Sequence, residues 1–294
     1  MTSTKEKNLM GASTRLLAVL MAVILLSAAL ATSVSASGGY DFPAGAVSVR
    51  MMLDGREVLK NEAVIINSVT YVPLRSFSEL AGADSISWNA RTATATVKKG
   101  ATTISVADGY YYIVASGRYF YTAEPILNIN NRLFVPVRPL AKAFCINVDW
   151  DHANRTVVLK STGKTLQSAS AYYNSDDLYW LSRIISAESA GESLYGQIAV
   201  GNVVLNRVAS RQFPNTIYGV IFDRVGGTQF SPVAMGTIYR APAVSSVIAA
   251  KICLEGYSIS DDILFFMNPR IATSNWISKN RPFAFRIGNH DFYR

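Results

Sequence analysis

Residues 180–207 read WLSRIISAESAGESLYGQIAVGNVVLNR, and this stretch determines the fold of the C-terminal half. Leu181, Ile184 and Ile185 recur with helical spacing, which predicts a helix that lays one face on a core. Gly191 is suited to stop that helix, and Ser193 is suited to cap a second helix rich in apolar residues. The stretch therefore predicts two helices that meet at a corner.

Glu188 falls on the last turn of the first predicted helix. The helix dipole is negative at that end, which raises the pKa of a carboxyl group, and a protonated glutamic acid can act as a general acid. On spacing alone, Glu188 and Glu192 could equally be solvated carboxylates near a helix end. Glu192 has two open roles. It shares a face with Glu188 and contacts substrate if the helix persists, or it stabilises the bend if Gly191 breaks the helix.

The motif AESAGESLYGQIAVGNVVLNRV (residues 187–208) is followed by FPNTIYGVIF, QFSPV, FFMNP and the tail RIGNHDFYR. In this order the motifs resemble the SleB-type cell wall hydrolase family, which includes the spore cortex-lytic enzymes, and the resemblance covers residues 178–294. It implies a lysozyme-like, mainly helical domain with a small β-hairpin. It also implies that Glu188, the first glutamate of the A-E-x-x-G-E signature, is the active carboxylate. Ser189 resembles the serine of the Glu-Ser pair in lytic transglycosylases, which implies that its hydroxyl orients a substrate group.

Loops and turns of this half supply further candidates for substrate contact. Polar candidates for hydrogen bonds to N-acetyl or hydroxyl groups are Gln229, Ser231 and Asn268. Aromatic candidates for stacking on sugar rings are Tyr195, Phe230 and Trp276. Each has a structural alternative, which is a hydrogen bond that fixes a loop or packing in the core.

The chemistry follows from the needs of a sugar–sugar bond, which are a proton for the leaving oxygen and stabilisation of an oxocarbenium-like centre. A hydrolase usually supplies two carboxylates, whereas a lytic transglycosylase can use one because the substrate's own C6 hydroxyl attacks. The only carboxylate near Glu188 in sequence is Glu192. Four others are remote in sequence and resemble cap or turn residues, although folding could bring one of them close: Asp223, Glu255, Asp261 and Asp262. We therefore expect cleavage of the MurNAc–GlcNAc β-1,4 bond of peptidoglycan by lytic transglycosylation, in spore cortex or cell wall remodelling. A hydrolysing muramidase and a non-catalytic wall-binding protein are the alternatives.

An internal repeat precedes this half. YVPLR (residues 71–75) returns 63 residues later as FVPVR (134–138), and Trp88 returns as Trp150. Each unit predicts strands, a short helix after the VPLR or VPVR step, and a hairpin. Residues 47–160 resemble the copper amine oxidase N-terminal-like domain, which implies an α+β module that serves as a spacer or contacts the wall. The aromatic residues 110–112 and 119–121 are predicted as core, with sugar stacking as the alternative.

The chain thus predicts an α+β protein of several segments. Residues 1–36 are typical of a secretory signal peptide, with an uncleaved anchor as the alternative. Residues 47–160 form the repeat module, the polar residues 161–174 form a linker, and residues 175–294 form the hydrolase domain. We expect the protein to be secreted, to associate with the cell wall or spore cortex, and to have no stable membrane span after signal cleavage.

Composition limits the partners. The net charge of +8 suits an anionic cell surface, and no nucleic-acid-binding motif accompanies it. The only two cysteines, Cys145 and Cys253, lie in different predicted domains and are expected to be buried free thiols. With two cysteines and two histidines no zinc-ligand spacing exists, so neither a metal nor another cofactor is expected. The expected partner is the peptidoglycan glycan strand, and the oligomeric state is open.

Overall fold

Both copies of the repeat fold as a strand that runs directly into a helix in the computed structural model, which describes residues 39–294. The first copy joins β5 (Val69–Pro73) to α1 (Leu74–Leu80), and the second joins β12 (Arg132–Pro136) to α2 (Val137–Ala143). A proline closes each strand because it cannot donate to a further ladder hydrogen bond, and the helix begins at the next residue. The predicted signal peptide lies outside the described residues.

Three sheets make up the rest of this N-terminal module. Their order is β1-β4-β5-β12-β11, β10-β9-β8-β7-β6 and β13-β14-β2-β3. The remaining strands are β1 (Val47–Ser48), β2 (Arg50–Leu53), β3 (Arg56–Val58), β4 (Val64–Ile66), β6 (Ser85–Asn89), β7 (Thr94–Lys99), β8 (Thr102–Ala107), β9 (Tyr112–Ala115), β10 (Arg118–Tyr121), β11 (Leu127–Ile129), β13 (Ile146–Asp151) and β14 (Thr156–Ser161). Apolar residues of both helices, such as Phe77 and Leu140, enter one shared core.

The two copies of the repeat pair with each other. Strands β5 and β12 are antiparallel, with Val72 opposite Val135. These two valines are equivalent positions of the repeat, so the pair has an approximate twofold axis between them. Strand β14 of the second copy also pairs in parallel with β2 of the first, with Val157 opposite Met51. Each copy therefore completes a sheet that contains strands of the other.

The prediction that residues 110–112 and 119–121 form core is wrong for Tyr110 and Tyr111 and holds for residues 119–121. Phe120 is buried at 2% exposure, whereas Tyr110 and Tyr111 are 49% and 44% exposed. Tyr119 and Tyr121 pack against the core of the C-terminal domain. Side chains alternate between the two faces of β10, so the strand places Phe120 in its own module and its two neighbours against the other domain.

The C-terminal domain is mainly helical with a small sheet, which confirms the α+β prediction. Its helices, with one that precedes it, are α3 (Ala169–Tyr172), α4 (Ser175–Ser189), α5 (Leu194–Ala209), α6 (Ile217–Phe222), α7 (Ser231–Ala234), α8 (Val244–Leu254), α9 (Trp276–Asn280) and a 3₁₀ turn at Thr237–Tyr239. Its strands are β15 (Phe265–Met267), β16 (Phe283–Ile287) and β17 (His290–Tyr293), in the order β15-β17-β16. The expected small β-hairpin is β16–β17.

Helix α4 carries its predicted buried face, formed by Leu181, Ile184 and Ile185. Its N-cap is Asn174, whose side chain accepts hydrogen bonds from the backbone amides of Asp176 and Asp177 at 2.9 and 3.1 Å. Asp176 and Asp177 are therefore not the caps of the helix. They occupy the first turn, where negative charge still interacts favourably with the helix dipole.

The corner between α4 and α5 forms as predicted. Ser193 caps α5, and its hydroxyl oxygen accepts a hydrogen bond from the backbone amide of Gly196 at 3.2 Å. Farther along α5, Gly201 lies where three helices meet. A Cβ atom on Gly201 would approach the Cys253 Sγ atom to 2.6 Å and the Ile185 Cδ1 atom to 2.9 Å. The absent side chain lets α5 pack closely on α4 and α8.

The segment predicted as a linker, residues 161–174, contains α3 and helps to join the module to the C-terminal domain. The backbone amide of Ala169 donates to the carbonyl oxygen of Ser116 at 2.9 Å. Arg118 on β10 makes a two-point ion pair with Glu255, which follows α8, at 2.7 and 2.8 Å. The hydroxyl of Tyr173 donates to the same carboxylate at 2.8 Å. The two domains are thus held by a buried polar contact as well as by aromatic packing.

Both cysteines are free thiols, as predicted, although only Cys253 is fully buried and Cys145 is partly exposed. Across residues 39–294, no helix has the length and apolar character needed to cross a membrane.

Candidate active site

Glu188 lies on the last turn of α4 and is half-buried. Burial raises the pKa of its carboxyl group to about 7, and the positive charge of Arg207 opposes that rise. Burial disfavours the ionised form because the carboxylate loses hydration. The sequence predicted a raised pKa from the helix dipole, and the structure places burial first among the causes. Glu188 is therefore poised to be protonated near neutral pH.

Arg207 on α5 is the residue whose positive charge lowers the pKa of Glu188. It was not selected from the sequence. It is buried at 5% exposure, and its Nε atom donates to the carbonyl oxygen of Leu264 at 2.7 Å. Its Nη1 atom is buried without a hydrogen-bond partner among the described residues. Burial lowers the pKa of Arg207 to about 10, and the charges of Asp223 and Glu188 oppose that fall. An arginine within the mainly apolar sequence of α5 was the available signal.

Asp223 is a second carboxylate whose negative charge, like that of Glu188, raises the pKa of Arg207. It follows α6, is half-buried, and its Oδ1 atom accepts a hydrogen bond from the backbone amide of Val225 at 2.9 Å. In sequence it looked like a remote cap or turn residue. The fold brings it close enough for its charge to act on the guanidinium group of Arg207.

Glu192 is engaged by the C-terminal hairpin. Its carboxylate accepts hydrogen bonds from the side-chain and backbone nitrogens of Asn289 at 2.9 and 3.3 Å. Its side chain is 9% exposed and lies 3.7 Å from the Nδ1 atom of His290. Gly288, at φ +57°, lies against this carboxylate, and a Cβ atom there would displace the Glu192 Oε2 atom. Of the two roles left open by the sequence, this geometry supports stabilisation of the bend.

Two of the predicted substrate contacts are buried. The hydroxyl of Ser189 is 2.7 Å from the Ile185 carbonyl oxygen, to which it donates, and the residue is 3% exposed. Phe230 is 2% exposed and lies in the C-terminal core, with the Arg207 guanidinium 5.2 Å from its ring centre. Both positions contradict direct substrate contact, because the helix and the core already use these side chains.

The other predicted contacts remain accessible to different degrees. Tyr195 is 40% exposed and Trp276 is 52% exposed, so both rings can still meet a ligand. Ser231 is exposed at the start of α7. Gln229 and Asn268 make loop-fixing hydrogen bonds: Gln229 donates to the Val225 carbonyl oxygen, and Asn268 accepts from the Arg270 amide. For these two amides the structural alternative, a hydrogen bond that fixes a loop, therefore applies.

An exposed aromatic group on the C-terminal domain was not singled out in the sequence. Its centre is Trp180 on α4, whose ring packs edge-on against Tyr218 at 5.5 Å and Tyr239 at 6.2 Å. Tyr218 and Tyr239 are 54% and 62% exposed. Such rings offer apolar faces with polar tips, which suits the binding of sugars. Because they come from three separate elements, their meeting was not visible in the sequence.

Comparisons with known proteins relate both halves of the chain to described families. A family model described as cell wall hydrolase matches residues 191–293, and one described as copper amine oxidase N-terminal domain matches residues 52–159. A spore cortex-lytic enzyme of Bacillus cereus is 39% identical over 120 residues, which cover 41% of this chain and 45% of that protein. One from Bacillus subtilis is 38% identical over 120 residues, covering 41% of this chain and 38% of that protein. The chain thus spans less than half the length of these relatives.

Among solved structures, the catalytic domain of the germination-specific lytic transglycosylase SleB from Bacillus anthracis is 38% identical to this chain. The match covers 42% of this chain and 97% of that one, with a TM-score of 0.38. The family model, which matches residues 191–293, identifies a cell wall hydrolase domain in the C-terminal half. The chain thus has a copper amine oxidase N-terminal-like domain followed by a cell wall hydrolase domain, and the latter region is similar in sequence to the spore cortex-lytic enzymes.

Proposed function

We propose that the protein cleaves the MurNAc–GlcNAc β-1,4 bond of spore cortex or cell wall peptidoglycan by lytic transglycosylation, with Glu188 as its catalytic residue. The observation that supports this most is the half-buried Glu188 carboxyl, whose pKa of about 7 keeps a proton available near neutral pH. The relatives named spore cortex-lytic enzymes support the cortex as substrate. The cell wall hydrolase match starts at Gly191, so the role of Glu188 rests on its geometry and on the A-E-x-x-G-E signature.

In the proposed mechanism one carboxyl group acts twice. Protonated Glu188 donates its proton to the O4 atom of the leaving sugar while the bond from C1 to that oxygen breaks. The resulting carboxylate then accepts the proton of the C6 hydroxyl as that oxygen bonds to C1. The products are a 1,6-anhydro-muramic end and a free 4-hydroxyl, and Glu188 is protonated again. No water is consumed.

The same geometry predicts the pH dependence of activity. A carboxyl whose pKa is raised to about 7 holds its proton below that pH and loses it as the pH rises through 7. We therefore expect kcat/KM on purified glycan strands to fall about tenfold per pH unit above pH 7, because only the protonated acid is active. Arg207→Gln removes the positive charge that opposes the shift, so the fall should move to higher pH. A wild-type profile that falls near the ordinary glutamate value of 4.5 would contradict this environment.

A hydrolysing muramidase is the second candidate, and Asp223 is the observation that favours it. The charges of Asp223 and Glu188 both raise the pKa of Arg207, so two carboxyl groups lie near the same guanidinium group. A hydrolase places its second carboxylate about 5–5.5 Å from the acid for retention or about 6.5–9.5 Å for inversion. In that case a water molecule would attack C1 and leave a reducing end.

Digestion of cortex and vegetative sacculi in ¹⁸O-labelled water separates the two reactions. For transglycosylation we expect muropeptides that end in 1,6-anhydro-muramic acid and carry no label, because ring closure uses the substrate's own oxygen. Label at the new reducing end would establish hydrolysis instead. Asp223→Asn serves as the matched variant: it should retain most activity in a transglycosylase and lose it in a hydrolase. Mass spectrometry of the products reads out both results, and intact sacculi would contradict both reactions.

We further propose the organisation that goes with this activity. Residues 1–36 direct secretion, residues 47–160 form the repeat module, residues 161–174 connect, and residues 175–294 cleave the glycan. The protein would act at the wall or cortex, and the basic charge of the chain, +8 over its full sequence, suits that anionic polymer.

A further inference from the structure

A cavity of about 460 Å³ lies in the N-terminal module, where the end of β5, the start of α1, strand β6 and the β11–β12 hairpin meet. All its lining residues belong to the first of the two domains, so it is separate from the site around Glu188. Its volume is in the range of small-ligand sites. We call it the Trp88 pocket, after the aromatic residue in its lining.

The polar lining of the Trp88 pocket is basic. Arg75 and Arg132 contribute guanidinium groups, Asn128 and Asn131 contribute amides, and no carboxylate is among the lining residues that the structure describes. Arg75 has only an exposed ion pair with Glu79 at 3.5 Å. A positive, carboxylate-free lining favours an anionic ligand, and arginine forks match carboxylate and phosphate groups.

Arg132 is held in place at the rim of this pocket. Its Nη1 atom donates to the hydroxyl of Tyr40, and its guanidinium lies 5.2 Å from the centre of the Tyr40 ring. A guanidinium group has five N–H donors, so this single hydrogen bond leaves most of them for a ligand. The side chain is thus partly ordered before any ligand arrives, which reduces the entropy lost on binding.

Trp88 differs from its counterpart in the second copy of the repeat. Trp150 is only partly exposed and packs against the module core, whereas Trp88 is 54% exposed. Trp88 lies on β6, an edge strand of its sheet, opposite the small residue Ala95, which also lines the pocket. Exposure of an indole ring is unfavourable in water, and at this position the fold leaves 54% of the residue exposed. A sugar ring is a ligand that an exposed indole face suits.

We propose that the Trp88 pocket binds an acidic glycan, with a sugar ring on the face of Trp88 and its anionic substituent held by Arg75 and Arg132. This inference rests on the proposed function, because it assigns to the module a site for the same kind of polymer that the hydrolase domain would cleave. The anion could be a peptidoglycan carboxylate or a phosphate of a polymer attached to the wall. The shared chemistry is a sugar that carries negative charge.

Binding without turnover tests the proposal independently of catalysis. The full chain carrying Glu188→Gln is sedimented with purified sacculi, so that cleavage does not remove the ligand. Adding Trp88→Ala should weaken binding about tenfold or more, the usual scale for a central tryptophan, and Trp88→Phe should restore part of it. Adding Arg75→Ala and Arg132→Ala together should weaken binding similarly and reduce its salt dependence.

Arg50→Ala is the matched control, because it removes an exposed arginine of the same module outside the pocket. Equal binding of the Trp88→Ala protein and its parent would overturn the proposal. An equal loss in the Arg50→Ala protein would also overturn it, since the charge would then act without a site. Sacculi stripped of attached polymers by hydrofluoric acid distinguish the sources: a Trp88-dependent loss that persists assigns peptidoglycan, and one that disappears assigns the attached polymer.

Discussion

Glu188→Gln is expected to lower the rate of sacculus lysis by at least about 100-fold, the usual contribution of general acid catalysis. Glutamine keeps the shape of the side chain but has no proton to donate to the leaving oxygen. The half-buried position on the last turn of α4 gives water little opportunity to replace the lost acid. Loss of turbidity of purified sacculi measures the rate, and muropeptide analysis identifies any residual product.

The folded state of this variant can be checked through its stability. In the wild type the pKa of Glu188 rises from 4.5 to about 7 on folding. The contribution of the protonated carboxyl group to the free energy of unfolding is therefore fully present below pH 4.5. It is lost as the pH rises through 7. Glutamine does not ionise, so above pH 7 the variant should unfold at the same or a higher temperature than the wild type. Near-wild-type lysis by this folded protein would contradict the assignment.

An exposed glutamate provides the matched control for the same chemical change. Glu57 pairs with Arg50 at 3.4 Å on the module surface, with its side chain 37% exposed. Glu57→Gln should leave the rate of lysis unchanged. A loss equal to that of Glu188→Gln would show that the effect is not specific to the proposed acid.

Glu255→Ala is expected to cost about 3–5 kcal/mol of stability, because it leaves Arg118 buried without its counter-charge. The two side chains are 2% and 7% exposed, and Lys142 also approaches the carboxylate at 3.1 Å. Burial raises the pKa of Glu255, but hydrogen bonds from Arg118 and Tyr173 outweigh burial and hold the pKa below its ordinary value. The stabilisation is thus present above the ordinary glutamate pKa and is lost as the pH falls through the lowered one.

Calorimetry of the full chain measures this effect. We expect the wild type to unfold with the two domains coupled, and the Glu255→Ala protein to unfold at lower temperature with the domains uncoupled. Glu57→Ala breaks an exposed ion pair and should cost only about 0–1 kcal/mol. A cost of that size for Glu255→Ala would show that the domains do not dock through this carboxylate.

Local features of the site could be predicted from the sequence. The last-turn position of Glu188, the Ser193 cap and the β16–β17 hairpin each depend on residues within a few positions of one another. Their signals are spacing, capping residues and turn residues, which act over one helical turn or one hairpin. The sequence also identified the repeat and the family, because both leave contiguous motifs.

Contacts between distant residues were not predictable in the same way. Arg118 and Glu255 are 137 residues apart, and nothing in either neighbourhood indicates the other. Burial is likewise a property of the whole fold, which is why Phe230 and Ser189 were selected as substrate contacts although the core encloses them. Arg207 shows the opposite error, since its role becomes visible only when Glu188 and Asp223 are placed beside it.

The strand pairing within the module bears on how such a chain can evolve. Strand β5 depends on β12 and strand β14 depends on β2, so deleting either copy of the repeat would leave the other with open sheet edges. Solenoid proteins gain and lose single repeats because each contacts only its neighbours. Here the duplicated units have become mutually dependent, which fixes their number at two. A longer descendant of this chain would therefore have to acquire the pair as one indivisible unit.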